Sequence, residues 1–594
     1  MRACRVALAA ALLIPLVGCA ELPQSGPVHW VVEEDDDSDD LPLIDPPPPS
    51  VGATPAEIVT GFFEAMKAYP LSTDVATQYL ITDAVKDWDP LRRTVIYDAV
   101  DVRWAGGSTV DASYGRRAAL SDRGRYRPVA GGATRLESLR YTLRLEDGEW
   151  RIANPVNALF VDGGFFTQYF KPVSLYFATR SGDYLVPDPI YLPTGEQLPT
   201  YLIRGLLQGP TPTMPDGVRT EVPAMNQADV SVPVDNGGVA EVLLTGPVLD
   251  MSDDQLRLLS AQVVWTLSQV PSISGVRITV SDLPLEFSGI PQVQTVQDWL
   301  SYDATEVPAR SELYALESGR LVQVTPLRTP VTRQTRGPWG RAVIGVRSFD
   351  LDVNLSRVGA ISTDRHRLLV GPAFDPQGGV GTAYISNGRL RSPTFTNSGE
   401  LLFIEQLADR SRLLKWAPNK SVSSIPIGDL RQRRFISLTL SPDGSRFVGL
   451  ARNGTSRSAS ARVVVGNVRY SAGGSEATGL SGVHELVASG LTLRSVRAAE
   501  WLNPTTIVAL GQVGEVGRSV VRPYTMRIDG SQYADPPLSV ALPQGVDDAV
   551  DLEASGIADS DVYVEDRQGQ LWVGGTSRWH VVQQHPLVAA AVPG

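Results

Sequence analysis

One thiol stands where chemistry can reach it. Cys19 closes the run Leu16-Val17-Gly18-Cys19, where small residues admit a peptidase next to a sulfur that can take an acyl group. Upstream, Arg2 and Arg5 precede an unbroken apolar stretch from Val6 to Val17, the layout of a secretory signal. That stretch contains Pro15 and falls short of the roughly 18 to 20 residues a membrane-crossing helix needs. Elsewhere the search for reactive groups returns little. The histidines, His29, His366, His484, His580 and His585, are scattered and form no HExxH or other metal-ligand spacing. No GxSxG, P-loop or CxxC occurs, and Gly511 to Gly517 lacks dinucleotide-loop spacing. Asp83, Asp87 and Asp89 show no catalytic arrangement. No catalytic, cofactor-binding or metal residue is therefore assigned. Arg431, Arg433 and Arg434 make the densest basic cluster, read as a solvated loop in preference to an anion or partner contact.

The sequence around Cys19 resembles the lipobox of bacterial lipoproteins. In those proteins the sulfur receives a diacylglyceryl group, signal peptidase II cuts before the cysteine, and the new N-terminus is acylated. The resemblance implies that residues 1–18 leave as a signal peptide and that Cys19 anchors the chain to the outer face of a membrane, since two acyl chains suffice where one is marginal. Cys4 is the only other cysteine and would leave with the signal, so the folded part must be stabilised without disulfides.

The chain of 594 residues is too long for one core, and its 43% hydrophobic and 20% charged content is that of a globular protein. A net charge of −12 gives no bulk attraction to nucleic acid. The charge is uneven: from Glu306 onward 31 basic residues face 26 acidic ones, while the preceding 305 residues carry 22 and 39. Attraction to an anionic partner therefore belongs to the C-terminal half.

Residues 19–53 read as a spacer. Glu33 to Asp40 holds seven carboxylates in eight positions and Pro46 to Pro49 follow, so charge repulsion and polyproline stiffness extend it. At about 3.1 Å per residue it could reach roughly 100 Å. Calcium loops need glycine-punctuated geometry that the acidic run lacks. Residues 54–160 begin with the capping box Thr54-Pro55-Ala56-Glu57 and the apolar helical face Ile58, Val59, Phe62, Phe63 and Met66. A second helical stretch over Ser72 to Trp88 and strands near Thr94 to Trp104, Leu139 to Leu145 and Trp150 to Ile152 complete an α+β unit that resembles the NTF2-like cone.

Residues 161–305 alternate strands and helices, an α/β arrangement. Strands are expected at Val173 to Ala178, Gly238 to Leu244 and Gly275 to Val280, with helices at Thr200 to Leu207 and after the cap Ser252. The segments Leu206-Leu207-Gln208-Gly209-Pro210 and Ala261 to Pro271 resemble the GerMN domain of sporulation and germination lipoproteins. Gln262, Thr266 and Gln269 are read as caps and solvated helix positions in preference to ligands. Together with the lipobox, the spacer and a β-rich C-terminal half, these segments make the whole chain similar to the actinobacterial LpqB lipoprotein family.

Residues 306–594 read as short strands and turns: Ile361 to Asp364, Phe395 to Gly399, Leu440 to Gly444, Trp501 to Pro504 and a degenerate Ile557 to Ser560, each before another apolar run. Irregular repeats of about 40 to 50 residues indicate propeller blades. With Glu312 to Val324 opening another blade, six are expected and seven are possible; paired β-sandwiches are the structural alternative. The fold class is thus multidomain: an α+β NTF2-like unit, an α/β GerMN unit and an all-β propeller. The family resemblance implies a non-enzymatic accessory protein that binds the extracytoplasmic domain of an MtrAB-type sensor histidine kinase and modulates cell-wall homeostasis and division. Two other classes stay open, an envelope-polymer binder and a propeller enzyme acting on wall glycan or peptide through paired channel carboxylates.

Overall fold

The structure, a computed structural model, describes residues 41–594 except 130–133, 213, 215, 225–229, 246, 281–282, 286–288, 307–311, 326–330, 429–432, 454–459, 489–492, 514–520, 532–548, 557–560, 575–578 and 583–585. Residues Leu43–Gly594 form one compact unit.

Thr54 starts the first helix, Pro55–Ala65, through the expected reciprocal cap with Glu57, which satisfies two backbone donors that a helix start leaves open. Its buried face meets a curved sheet whose strands run Glu149–Ile152, Arg135–Glu146, Thr109–Ser121, Arg93–Gly106 and Leu159–Asp162. The last strand lies parallel to Arg93–Gly106. Phe63 packs edge-on against Tyr97, Tyr141 and Phe160. These rings form part of the core between the helix and the sheet. The single helix expected over Ser72 to Trp88 is two short ones, Asp74–Thr77 and Thr82–Asp87. Between them Leu80 bridges Ile152, and Ile81 N–H donates to the Ile152 carbonyl. Sheet pairing at this point overrides helical continuity. Part of the proline-rich stretch is docked on this unit: Ile44 bridges Tyr69, and the Tyr79 hydroxyl donates to the Pro47 carbonyl at 2.9 Å.

In the middle unit the hairpin Phe170–Thr179/Leu185–Pro193 and the parallel pair Val239–Leu244/Gly275–Val280 sandwich two helices, Leu198–Leu207 and Asp253–Leu267. The second helix is capped by Ser252 and Gln255 as the sequence indicates. One contiguous apolar core joins both helices to both sheets.

Among the described residues, six successive antiparallel sheets follow: the blades of a propeller. The innermost strands of blades 2 to 6 are Val346–Leu351, Arg389–Phe395, Arg433–Leu440, Leu493–Asn503 and Ala549–Ala554. Blade 1 takes its innermost strand, Leu587–Ala591, from the chain's end, paired with Leu313–Glu317, so the ring is closed by strand pairing and leaves no open edge there. Separate apolar clusters fill the spaces between neighbouring blades. The expected blade count of six holds, but the repeat register does not. Phe395 to Gly399, Leu440 to Gly444 and Trp501 to Pro504 follow innermost strands, whereas Ile361 to Asp364 follows the second strand of blade 2, Arg357–Ser362. The true counterpart in blade 2 is Asp352 to Ser356, where the Asp352 carboxylate accepts from Ser356 and Arg357 N–H. Its left-handed position is taken by Leu355 (φ 55°), where the next two blades use Gly399 (φ 80°) and Gly444 (φ 72°).

Candidate functional site

Cys19 and its neighbours Leu16, Val17 and Gly18 lie outside the described residues. So does Arg431, and of its cluster Arg434 is half-buried, donating to the Leu407 carbonyl at 3.0 Å. That is a structural bond within the propeller. Gln262 and Thr266 are corrected: they are neither caps nor solvated, whereas the half-buried Gln269 does cap the last turn of the helix, donating to the Thr266 carbonyl at 2.8 Å. Gln262 and Thr266 are fully buried. Gln262 donates to the Tyr176 carbonyl at 3.0 Å and accepts from Glu221 N–H at 2.9 Å. Thr266 Oγ1 accepts from Tyr176 N–H at 3.2 Å. Gln269 accepts from and donates to the Ser174 backbone, both at 2.7 Å. This polar stripe takes the place of a neighbouring strand along Phe170–Thr179, satisfying backbone groups that burial would otherwise leave costly.

Two further constellations were not legible beforehand. The first joins the middle unit to the propeller. Arg446, in the turn after the innermost strand of blade 4, donates to the Pro187 carbonyl at 3.1 Å and to the Pro504 carbonyl at 2.7 Å. It also pairs with Asp443 at 3.3 Å, the two side chains only 6% and 1% exposed, and its guanidinium lies 5.6 Å from the Trp501 ring centre. Planar guanidinium geometry suits this combination of fork and stacked face. Beside it Asp188 accepts from Thr211 N–H and Oγ1 at 2.9 and 3.1 Å, and burial raises its pKa. The first unit joins the same block. Tyr191 N–H donates to the Gly124 carbonyl at 2.8 Å, and a side chain at Gly124 (φ 72°) would strike the Tyr191 carbonyl.

The second constellation lines the propeller channel with carboxylates from several blades: Asp350, Glu500, Asp551, Glu553 and Glu565. Glu500 accepts from Thr439 Oγ1 at 3.0 Å, Glu553 from Val592 N–H at 3.1 Å and Glu565 from Ala589 N–H at 2.9 Å. Enclosure by protein raises the pKa of each of Glu500, Asp551 and Glu553. For Glu565 desolvation, reinforced by Asp551, lifts it to about 7. Asp551 nonetheless touches solvent, so these groups are surrounded by protein while remaining in reach of channel water. The cavity bounded by Asp551, Glu553 and Glu565 has about 10 Å³, room for one water and not for a sugar ring.

Among the described residues, no group of three or more His, Cys, Asp or Glu could hold a metal ion, and no helix is long and apolar enough to cross a membrane.

Residues 48–167 match the model of the N-terminal domain of lipoprotein LpqB, and residues 174–286 match that of the sporulation and spore germination (Germane) domain. Lipoprotein LpqB of Cutibacterium acnes is 25% identical over 547 residues, covering 89% of this chain and 90% of that protein. Over most of its length the chain is similar to the LpqB lipoproteins. Another relative, lipoprotein LpqB of Rhodococcus opacus, is 30% identical over 336 residues, 54% of each chain. In solved structures, similarity is found to the first GerMN domain of GerM from Bacillus subtilis, with 22% identity, 21% of this chain, 98% of that one and a TM-score of 0.18. It is also found to TolB from Acinetobacter baumannii, with 13% identity, 48% and 66% coverage and a TM-score of 0.31. The chain is multidomain, with a part that matches the Germane model and a propeller of six sheets among the described residues, and its relatives are named as lipoproteins.

Proposed function

We propose that the chain is a lipid-anchored, non-enzymatic accessory protein on the extracytoplasmic face of the cell membrane, which binds and modulates an MtrAB-type sensor histidine kinase. In this reading residues 1–18 are a signal peptide, Cys19 carries the acyl groups, residues 19–53 lead to the folded part, and the three units span 54–160, 161–305 and 306–594. The observation that carries it is kinship with lipoprotein LpqB along 89% of the chain. The kinase itself enters through the family resemblance.

The interior supports a binding rather than a catalytic role. Three units locked by Arg446, Asp188 and Gly124 present a rigid platform, and rigidity limits the entropy lost when a partner docks. Of the channel carboxylates, Asp551, Glu553 and Glu565 bound a cavity with room for one water, which leaves no place for a sugar ring among those three.

The test is capture of the kinase's extracytoplasmic domain by the lipidated full chain in detergent, with mass spectrometry of the mature N-terminus. The expected result is a saturable complex and a diacylglyceryl group on Cys19, both the modification and the cleavage being lost in Cys19→Ala. An unmodified Cys19 in the mature wild type sinks the anchor, and absence of the complex with correctly lipidated protein sinks the kinase reading.

A further inference from the structure

At the end of the propeller channel where the innermost strands begin, several arginines gather, with Asp551 near the start of the blade 6 strand and Asp364 in the Arg365 turn as the nearby acids. Arg347 lies at the start of the blade 2 strand Val346–Leu351, where the pairing shifts register between Val346 and Ser348; such bulges re-aim side chains. Arg389 and Arg391 open the corresponding strand of blade 3. Arg365, in the turn of blade 2, is held against them, since its carbonyl accepts from Leu390 N–H at 2.7 Å. Arg391 is fixed from the other side: its Nε donates to Gln406 at 2.8 Å, and Gln406 donates to the Phe435 carbonyl of blade 4 at 2.7 Å. Arg452 of blade 4 is also within electrostatic range of Arg391.

Among the described residues, Arg347, Arg365, Arg389 and Arg391 form no ion pair with a carboxylate. The charged neighbours of Arg365 and Arg391 are other arginines, while Arg347 is also within electrostatic range of Asp551 and Glu565. Desolvation, and then the fields of Arg365, Arg452, Arg389 and Arg347, hold the Arg391 guanidinium down at about 10, and Arg365 is lowered by burial and by Arg347 and Arg389. A set of neighbouring guanidiniums that repel one another, with Arg391 fixed by Gln406, gains stability when an anion enters among them. Further along the innermost strands of blades 2, 5 and 6 stand Asp350, Glu500 and Glu553, whose charge opposes passage of an anion. An anion would therefore be held at the mouth.

We propose that this channel mouth is a binding site for a phosphate group, presented either as free phosphate or along a phosphodiester polymer of the envelope. Several guanidinium forks exceed what one carboxylate can satisfy, whereas phosphate offers more oxygens and more charge for bidentate contacts. The site is independent of the kinase reading and of Cys19.

The experiment is calorimetric titration of the full chain with inorganic phosphate, with poly(glycerol phosphate) and with acetate, at constant ionic strength. Phosphate should bind and acetate should not. Arg347→Gln, an exposed position whose loss leaves the fold intact, should weaken phosphate binding by about 5-fold or more, the size of one charged hydrogen bond. The double variant Arg365→Gln/Arg389→Gln should abolish it, and Arg389→Lys should restore part of it, because lysine keeps charge but not the fork. Polymer binding at least about 10-fold tighter per phosphate than the free ion identifies the polymer as the source, through multivalency; equal affinity identifies free phosphate. Equal binding of acetate, absence of phosphate binding, or phosphate binding untouched by Arg347→Gln and the double variant would each overturn the proposal.

Discussion

The propeller carries arginines at both ends of its innermost strands, and the two ends treat them in opposite ways. Arg446, in the turn that follows the blade 4 strand, is buried among an acid, two carbonyls and an indole. Arg391, at the start of the blade 3 strand, shares one amide oxygen and otherwise faces other guanidiniums. The first arrangement ties both terminal nitrogens of the side chain into the fold, so it is joinery. At the other end the fold constrains the positions but leaves charge uncompensated, which is how a structure spends stability at a binding surface.

The strongest way to break this comparison is Arg446→Met. It would leave Asp443, 1% exposed, without its cation but still accepting from Ser441 Oγ and from Ser445 N–H and Oγ; losing one partner of a buried pair costs about 3 to 5 kcal/mol, and with these bonds kept the expected loss is at the lower end. Chemical denaturation should show that loss, together with faster proteolysis between the middle unit and the propeller. A cost below about 1 kcal/mol would mean that the pair behaves like an exposed ion pair. The next effect in size is Gln262→Leu, which keeps the volume but strands the Tyr176 carbonyl and Glu221 N–H. Each unsatisfied buried group costs about 1 to 3 kcal/mol, so hydrogen exchange at Glu221 should accelerate along with a lower Tm.

Gln262 also shows how far the sequence was legible. Its helix, cap and apolar stripe follow from local periodicity, and the resemblance located the segment. What periodicity cannot say is which element faces the polar stripe: the bare flank of Phe170–Thr179 lies 86 residues away. The blade repeat failed for a related reason. Glycine and proline flag turns because of their dihedral freedom or fixity, and Asp352 to Ser356 has neither, since Leu355 takes the left-handed position. The Asp364 turn looked equivalent because it has an Asx signature of its own, with Asp364 accepting from His366 N–H. The mouth arginines were missed because they stand on different blades; arginine at the start of several first blade strands was the available signal. Arg431, Arg433 and Arg434 drew attention by adjacency alone.

A smaller effect comes from the channel between the two ends. Glu565 has a folded pKa of about 7, above the ordinary value near 4.5, so the folded state binds the extra proton. Stability should therefore fall as pH rises from about 4.5 to 7 and level off above that, with Glu500, Asp551 and Glu553 shifted in the same direction. Below about 4.5 this contribution is fully present. The expected size for Glu565 alone is on the order of 2 kcal/mol. Tm measured from pH 5.5 to 8 should decline in the wild type and decline less in Glu565→Gln, which keeps the neutral shape. An unchanged slope in that variant would show that Glu565 is not the titrating group.

The smallest effect separates joinery from site most sharply, because its sign reverses. Arg389 is exposed, pairs with no carboxylate among the described residues, and stands beside Arg365 and Arg391. Replacing it with glutamine removes repulsion and almost no packing, so Arg389→Gln should stabilise the protein by about 0.2 to 0.5 kcal/mol, the scale of a like-charge surface contact. Exposed charges are screened within about 8 Å at physiological ionic strength. The gain should therefore be largest in dilute buffer and vanish at about 1 M salt, where the Debye length is about 3 Å. Arg446→Met should destabilise at every salt concentration, because its pair is shielded from ions. Denaturation midpoints of both variants across a salt series test this directly. Destabilisation by Arg389→Gln that persists at high salt would show that this arginine has a structural partner, and the contrast between the two ends would fail.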